Sequence, residues 1–156
     1  MVLHAQINGW WLASGEPPQP GRPEGSQPKP VEPRRRLGGS VLIVEDDEAI
    51  RETLADILQY EGYVVSTACD GRDALLRLHS GATPGLILLD LMMPRMNGWE
   101  FRAEQLSRQE MAGIPIVVIS GAYDAPRQAN MLNANGFLSK PIEVIRLLEM
   151  VRLHCR

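Results

Sequence analysis

The stretch that decides the fold is Leu86-Ile87-Leu88-Leu89-Asp90, which is followed by Leu91-Met92-Met93-Pro94-Arg95-Met96-Asn97-Gly98. A short aliphatic run between Pro84-Gly85 and a turn rich in proline and glycine is typical of a buried strand. The strand would carry the Asp90 carboxylate at its C-terminal end. Open α/β sheets bind their ligands at that end of the strands, so Asp90 is a candidate functional residue.

A second aliphatic run ends in the same way. Val41-Leu42-Ile43-Val44 leads into Glu45-Asp46-Asp47-Glu48. Two buried strands that each bring acid to one edge of a sheet predict a cluster of carboxylates. Such a cluster is unstable unless a cation or a proton joins it, because close like charges disfavour ionisation.

Short apolar strands alternate with helical patterns from Ser40 onward. The strands are predicted at about residues 41–45, 63–67, 86–90, 115–119 and 136–139. The helices are predicted at about residues 48–61, 71–80, 98–110, 124–133 and 142–154. Five successive βα units predict a doubly wound α/β fold, in which helices cover both faces of a five-stranded parallel sheet.

The N-terminal quarter of the chain has a different composition. Residues 13–39 contain seven of the twelve prolines, mixed with glycine, serine and glutamine. This composition cannot bury a core, so residues 1–39 are predicted to be a disordered or polyproline-like tail ahead of one domain at residues 40–156. Within the tail, Trp10-Trp11 is either a short docking motif or has no role, and the sequence leaves both interpretations open.

Charge and composition exclude several classes of partner. Residues 40–156 contain eleven Lys or Arg against sixteen Asp or Glu, so the domain is acidic and no nucleic-acid partner is expected. No apolar run approaches the roughly 20 residues of a membrane span, and the N-terminus has no secretory signal pattern. Cys69 and Cys155 form no ligand cluster, which indicates reduced thiols in a cytoplasmic protein.

The remaining strand ends also carry polar groups. Ser120 follows Ile116-Val117-Val118-Ile119, and Lys140, the only lysine after residue 39, follows the last strand. Each residue alone has an ordinary structural explanation as a cap, turn or solvated residue. Because parallel strands present their C-terminal ends to one edge, these groups should converge with the acids. Carboxylates suit Mg²⁺, a lysine suits a phosphoryl oxygen, and together they indicate phosphoryl-transfer chemistry.

With these strand-end residues taken together, the sequence resembles the receiver domain of two-component response regulators over about residues 40–155. The matching segments, one at each strand end that bears a polar group, are Val41-Leu42-Ile43-Val44-Glu45-Asp46, Leu88-Leu89-Asp90 with Met93-Pro94 and Met96-Asn97-Gly98, Ile119-Ser120-Gly121-Ala122, and Gly136-Phe137-Leu138-Ser139-Lys140-Pro141. The resemblance implies a flavodoxin-like sheet with five helices and strand order 2-1-3-4-5. It also implies a magnesium site in which Asp46, Asp90 and the Met92 backbone carbonyl are ligands and Glu45 binds directly or through water.

The resemblance implies a reaction and its partners. Asp90 would accept a phosphoryl group from a sensor histidine kinase or a phosphotransfer protein, and Lys140 would neutralise charge. Ser120 and Phe137 would move together as the switch. Such a protein is a phosphorylated signalling switch rather than an enzyme acting on a separate substrate. Glu45 stands where aspartate is frequent in the family, and Asn133 stands where a helix-ending glycine is common.

The last predicted helix bears on downstream partners, whose identity the sequence does not give. Its inner face is predicted to contain Val144, Ile145, Leu147, Leu148 and Val151. Its outer face is predicted to contain Ile142, Met150 and Leu153 among charged residues. Scattered apolar residues of this kind are common on surfaces, but they also fit a phosphorylation-dependent partner face, for example a homodimer through this helix.

Three functional classes follow from these observations. The leading expectation is a stand-alone receiver that signals by protein–protein contact. The second is a receiver-like interaction module that acts without phosphorylation. The third, a haloacid-dehalogenase-like hydrolase, needs a second aspartate two residues after the nucleophile, and Met92 occupies that position.

Overall fold

The computed structural model of the protein describes residues 38–121 and 125–155. The predicted proline-rich tail, including Trp10-Trp11, lies outside them except for Gly38 and Gly39. A strand forms at each of the five predicted places: β1 is Ser40–Val44, β2 is Val64–Ala68, β3 is Leu86–Asp90, β4 is Ile116–Ser120 and β5 is Gly136–Ser139. All pairings are parallel and the order is β2-β1-β3-β4-β5, which confirms the predicted topology.

Six helices connect and cover the strands. They are α1 (Glu48–Tyr60), α2 (Gly71–His79), α3 (Gly98–Leu106), α4 (Gln109–Ala112), α5 (Ala125–Met131) and α6 (Val144–His154). The structure divides the predicted helix at 98–110 into α3 and α4, which gives six helices where five are predicted. The division occurs because the Ser107 hydroxyl donates to the Glu104 carbonyl (2.7 Å) and Arg108 is extended.

The strands β1, β3 and β4 are buried on both faces, so successive residues along each strand pack into different cores. Leu42, Val44, Ile87 and Leu89 pack toward α2, α3 and α5. Val41, Ile43, Leu86 and Leu88 pack toward α1 and α6. This two-sided burial explains why β1 and β3 appear in the sequence as continuous aliphatic runs rather than as alternating ones.

Local signals place the helix ends as the sequence indicates. Asn97 accepts from the Glu100 N–H (2.9 Å) and Glu100 accepts from the Asn97 N–H (3.0 Å), which is a complete capping box on α3. Gly62 (φ 92°) follows the end of α1. Asn133, which follows α5, adopts the left-handed conformation (φ 48°). Asparagine tolerates this conformation better than any residue except glycine.

The predicted inner face of the last helix is wrong in part. Leu147 and Val151 are fully buried, but Val144 and Ile145 are 48% and 72% exposed, respectively. Met150, predicted outside, packs on the α1–α6 core, as does Ile142, which precedes the helix. Successive residues of a helix are 100° apart around its axis, so Met150 lies about 60° from Leu147, whereas Ile145 lies about 160° from Leu147. The face of α6 that meets the core is therefore centred near Leu147 and Val151, and Ile145 lies on the opposite face.

A buried arginine joins three helices. Arg102 on α3 is 5% exposed, and it donates to the carbonyls of Leu132 (3.1 Å) and Asn133 (3.0 Å), just past the end of α5. It also donates to Gln105 (2.6 Å), whose amide in turn donates to the Met111 carbonyl at 2.9 Å, in α4. Burial lowers the pKa of Arg102. Among the described residues no helix has the length and apolarity that a membrane span requires.

Candidate functional site

Parallel register brings the polar strand ends together. Val44 is level with Leu89 and Ser120 is level with Ser139, so β1, β3, β4 and β5 end at one edge. There they form a cleft, here called the acidic cleft, whose lining includes Glu45, Asp46, Asp90, Ser120, Gln128 and Lys140. The structure thus gathers the predicted acids, hydroxyl and lysine in one place. Phe137 does not line this cleft; it is 38% exposed and lines a separate groove with residues that include Pro141 and Arg146.

Lys140 bridges two carboxylates at the centre of the cleft. Its Nζ atom lies 2.9 Å from Asp90 Oδ2 and 2.9 Å from Glu45 Oε2. Burial opposes the charged ammonium group, but hydrogen bonds with Asp90 and Glu45 outweigh burial, so the pKa of Lys140 is raised. The lysine is therefore a fixed positive charge beside Asp90.

The acids outnumber the lysine. Carboxylate oxygens of Glu45, Asp46 and Asp90 lie within 4.8 Å of one another. Burial, helped by the charge of Asp90 and opposed by Lys140, raises the pKa of Glu45 to about 7. The buried Glu45 Oε2 lies 2.9 Å from Lys140 Nζ, and Glu45 Oε1 accepts from the same ammonium group at 3.2 Å. Three clustered carboxylates that share a single lysine fit a hard divalent cation such as Mg²⁺.

Backbone groups fix the orientation of Asp90. The Met92 N–H donates to Asp90 Oδ1 (3.1 Å), so both carboxylate oxygens of Asp90 have partners. Gly98 packs against the backbone of Asp90 and Leu91: a Cβ on Gly98 would lie 2.5 Å from the Asp90 carbonyl oxygen and 2.8 Å from Leu91 Cα. Gly98 is therefore the residue that lets α3 begin directly against the end of β3.

Two features hold the acid pair in place, and sequence patterns identify only one of them. Asp47 caps α1 by accepting from the Ile50 N–H (3.0 Å), as its position before a helix predicts. Arg51 donates to the carbonyls of Glu45 (2.8 Å) and Asp46 (3.2 Å). An arginine one turn into a helix gives no sequence signal of that contact.

The loop after Asp90 is anchored to α2 by a second pair that sequence reasoning missed. The buried Asp70 caps α2 and forms an ion pair with Arg95, which has φ 65°. The Gly71 N–H also donates to the Met96 carbonyl (3.1 Å). Burial opposes ionisation of Asp70, but hydrogen bonds from the Asp73 backbone and Arg95 lower its pKa overall.

Ser120 is held from two sides. Its carbonyl accepts from the Lys140 N–H (2.9 Å), and its hydroxyl donates to Gln128 Oε1 on α5 (3.0 Å). Ser120 is 2% exposed. Sequence reasoning did not single out Gln128, because a polar residue in a short helix has no spacing that identifies its partner.

Comparison with known proteins agrees with this geometry. The family model described as the response regulator receiver domain matches residues 41–152. The transcriptional regulatory protein SphR of Synechococcus elongatus is 33% identical over 132 residues, which cover 78% of this chain and 51% of SphR. Protein PilG of Pseudomonas aeruginosa is 29% identical over 120 residues, covering 75% of this chain and 87% of PilG. The chain thus spans about half the length of the first relative and most of the second.

A solved structure supports the same assignment. The chemotaxis protein CheY4 of Vibrio cholerae superimposes with a TM-score of 0.68 at 30% identity, covering 74% of this chain and 98% of CheY4. The family model falls on the part of the chain that contains the sheet and the acidic cleft. The chain belongs to the response regulator receiver domains, the phosphorylation-dependent signalling modules of two-component systems.

Proposed function

We propose that Asp90 accepts a phosphoryl group from the phosphohistidine of a sensor histidine kinase or of a phosphotransfer protein. The observation that carries the proposal is the pairing of Asp90 Oδ2 with Lys140 Nζ at 2.9 Å inside the acidic cleft. An Asp90 oxygen forms a bond to phosphorus while the phosphorus–nitrogen bond breaks. The electron pair of that bond stays on the imidazole that leaves.

Positioning by the chain's own groups supports this step. The Met92 N–H holds Asp90 Oδ1, which fixes the rotamer of the nucleophile. Lys140 is already beside Asp90, so its charge needs no large rearrangement to meet an incoming phosphoryl oxygen. Such preorganised charge is the main source of catalysis in phosphoryl transfer.

The charge balance of the cleft supports a bound cation. Three carboxylates face one lysine, so the cluster has a net negative charge when fully ionised. Glu45, Asp46, Asp90 and the Met92 carbonyl are the groups that would hold Mg²⁺. When bound, Mg²⁺ would neutralise the acids and the phosphoryl oxygens that approach them.

Ser120 and Phe137 are proposed as the elements that report phosphorylation. The Ser120 hydroxyl would donate to a phosphoryl oxygen, and that charge-assisted bond would favour one conformation of the surrounding surface. Phe137 lies two residues before Ser139, the strand partner of Ser120, at the partly exposed edge of the sheet. A change at the end of β4 would therefore reach Phe137 through β5.

The experiment that tests the proposal is labelling with acetyl phosphate and Mg²⁺, measured by intact mass. The wild-type chain should gain one phosphoryl group, and Asp90→Asn should gain none. Asp47→Asn is the matched control, because asparagine caps a helix as well as aspartate does and labelling should persist. Equal labelling of Asp90→Asn and wild type would refute Asp90 as the acceptor. A wild-type chain that stays unlabelled would favour the interaction module that acts without phosphorylation.

The downstream partner is proposed to contact α6. Val144, Ile145 and Leu153 are exposed apolar residues on this helix. If the partner is a second copy of the chain, beryllofluoride with Mg²⁺ should shift the protein to a dimer in size-exclusion chromatography. An unchanged elution volume would exclude the homodimer. We also propose a cytoplasmic location, which the two free cysteines favour.

A further inference from the structure

The hydroxyl of Ser120 already has an acceptor in the resting protein. Its Oγ atom lies 3.0 Å from Gln128 Oε1. In β4, Ser120 is on the same face as Val118, which packs toward α5 in the core that also contains Ala129. The strand therefore directs the hydroxyl at α5, and Gln128 is the residue that receives it.

In this hydrogen bond the Ser120 hydroxyl is the donor. Gln128 Oε1 is a carbonyl oxygen with no hydrogen, so the proton in the bond must come from Ser120. A hydroxyl has one proton, and it cannot fully serve Gln128 and a phosphoryl oxygen together. Since Ser120 and Gln128 line the same cleft as Asp90, both acceptors compete at one place.

We propose that Gln128 is a positioning residue that holds Ser120 in the resting state, so that phosphorylation of Asp90 must break the Ser120–Gln128 hydrogen bond. The inference rests on the proposed function and adds a regulatory residue to it. Gln128 does not touch the reacting atoms in this role. The free energy gained when Ser120 bonds to the phosphoryl group is reduced by the free energy of the hydrogen bond to Gln128 that has to break.

The test measures beryllofluoride affinity with Mg²⁺ by isothermal titration calorimetry, because this phosphoryl analogue binds without a chemical step. Gln128→Met keeps the length of the side chain and removes the acceptor. It should bind beryllofluoride about two- to tenfold more tightly than wild type, the range expected for one hydrogen bond. Gln128→Glu keeps the acceptor and adds charge, so it should bind more weakly than wild type.

The same substitutions made together with Ser120→Ala show whether Gln128 acts through the Ser120 hydroxyl or through some other change at the surface of α5. Without the hydroxyl, Gln128→Met should give no gain in affinity. Gln128→Ala provides a second variant in case Gln128→Met does not fold, which circular dichroism would reveal.

The outcomes distinguish this inference from the proposed function. The role of Gln128 alone is overturned if acetyl phosphate labels the protein normally but Gln128→Met gains no beryllofluoride affinity. It is also overturned if Gln128→Met gains the same affinity in the Ser120→Ala background. A wild-type chain that takes neither acetyl phosphate nor beryllofluoride overturns both the role of Gln128 and the phosphoacceptor proposal.

Discussion

Lys140 Nζ lies 2.9 Å from Oε2 of Glu45, a carboxylate with no exposed surface. The ion pair with Lys140 does not return the pKa of Glu45 to its ordinary value, because burial and the charge of Asp90 keep that pKa raised at about 7. A carboxylate of this kind resists ionisation until something in the cleft neutralises it. Its cost to the metal-free fold should therefore depend on pH.

Glu45→Gln should stabilise the metal-free protein more at pH 8 than at pH 5. The folded-state pKa of Glu45, about 7, lies above its ordinary value of 4.5, so folding favours the protonated form and the wild type loses stability as pH rises between these values. The glutamine variant lacks this loss, and the difference between the two pH values should be on the order of 2 kcal/mol. Urea unfolding with chelator at both pH values measures it. Parallel pH profiles for the two proteins would contradict the prediction.

Gly98→Ala should destabilise the fold and slow labelling of Asp90. Its Cβ would lie within 2.5–2.8 Å of backbone atoms of Asp90 and Leu91, which must shift. We expect a loss of about 1–3 kcal/mol, typical of overpacking. Gly113→Ala is the control, because a Cβ there meets nothing within 4 Å. Thermal melts and labelling rates measure both effects, and equal behaviour of the two variants would show that close approach at Gly98 has no consequence.

Arg95→Gly should cost less stability than Arg95→Ala. Both variants lose the ion pair with the buried Asp70, but alanine also has to adopt the φ of 65° that glycine accepts freely. The gap between the variants should be about 1 kcal/mol, since the left-handed region costs other residues roughly that amount. Chemical denaturation measures the gap. An alanine variant as stable as the glycine variant would mean that the loop changes its backbone conformation once the ion pair is lost.

Arg102→Met should be among the most damaging single changes outside the cleft. It leaves the Leu132 and Asn133 carbonyls and the Gln105 amide oxygen without the donors they have now. The expected loss is about 3 kcal/mol, because several buried acceptors are left unsatisfied. Arg146→Met is the control, since that exposed arginine pairs with the exposed Glu149 and should contribute within about 0.5 kcal/mol. A small loss in Arg102→Met would show that water replaces the guanidinium.

The fold was predictable because its signals are local. The aliphatic runs of β1 and β3 are buried on both faces, and the polar residues at their ends follow from chain direction alone. Parallel register then brings Glu45, Asp90 and Lys140 together without any knowledge of side-chain packing.

The parts that sequence reasoning missed depend on contacts between distant segments. Arg51, Gln128 and the Asp70–Arg95 pair each act through a partner that no spacing in the sequence identifies. The inner face of α6 was misplaced for a different reason. Apolar residues surround much of that helix, so periodicity alone could not decide which ones meet the sheet.

Two separate contacts hold the α5 region: the buried hydrogen bonds from Arg102 and the hydrogen bond between Ser120 and Gln128. Beyond the C-terminal end of α5, Leu132 and Asn133 are tied to α3 by hydrogen bonds that contain no atom of the acidic cleft. Gln128, the middle residue of α5, accepts from the hydroxyl of Ser120 at the cleft. A disturbance that begins at Ser120 would therefore reach the middle of α5, while the contacts of Arg102 beyond the C-terminal end of that helix stay in place.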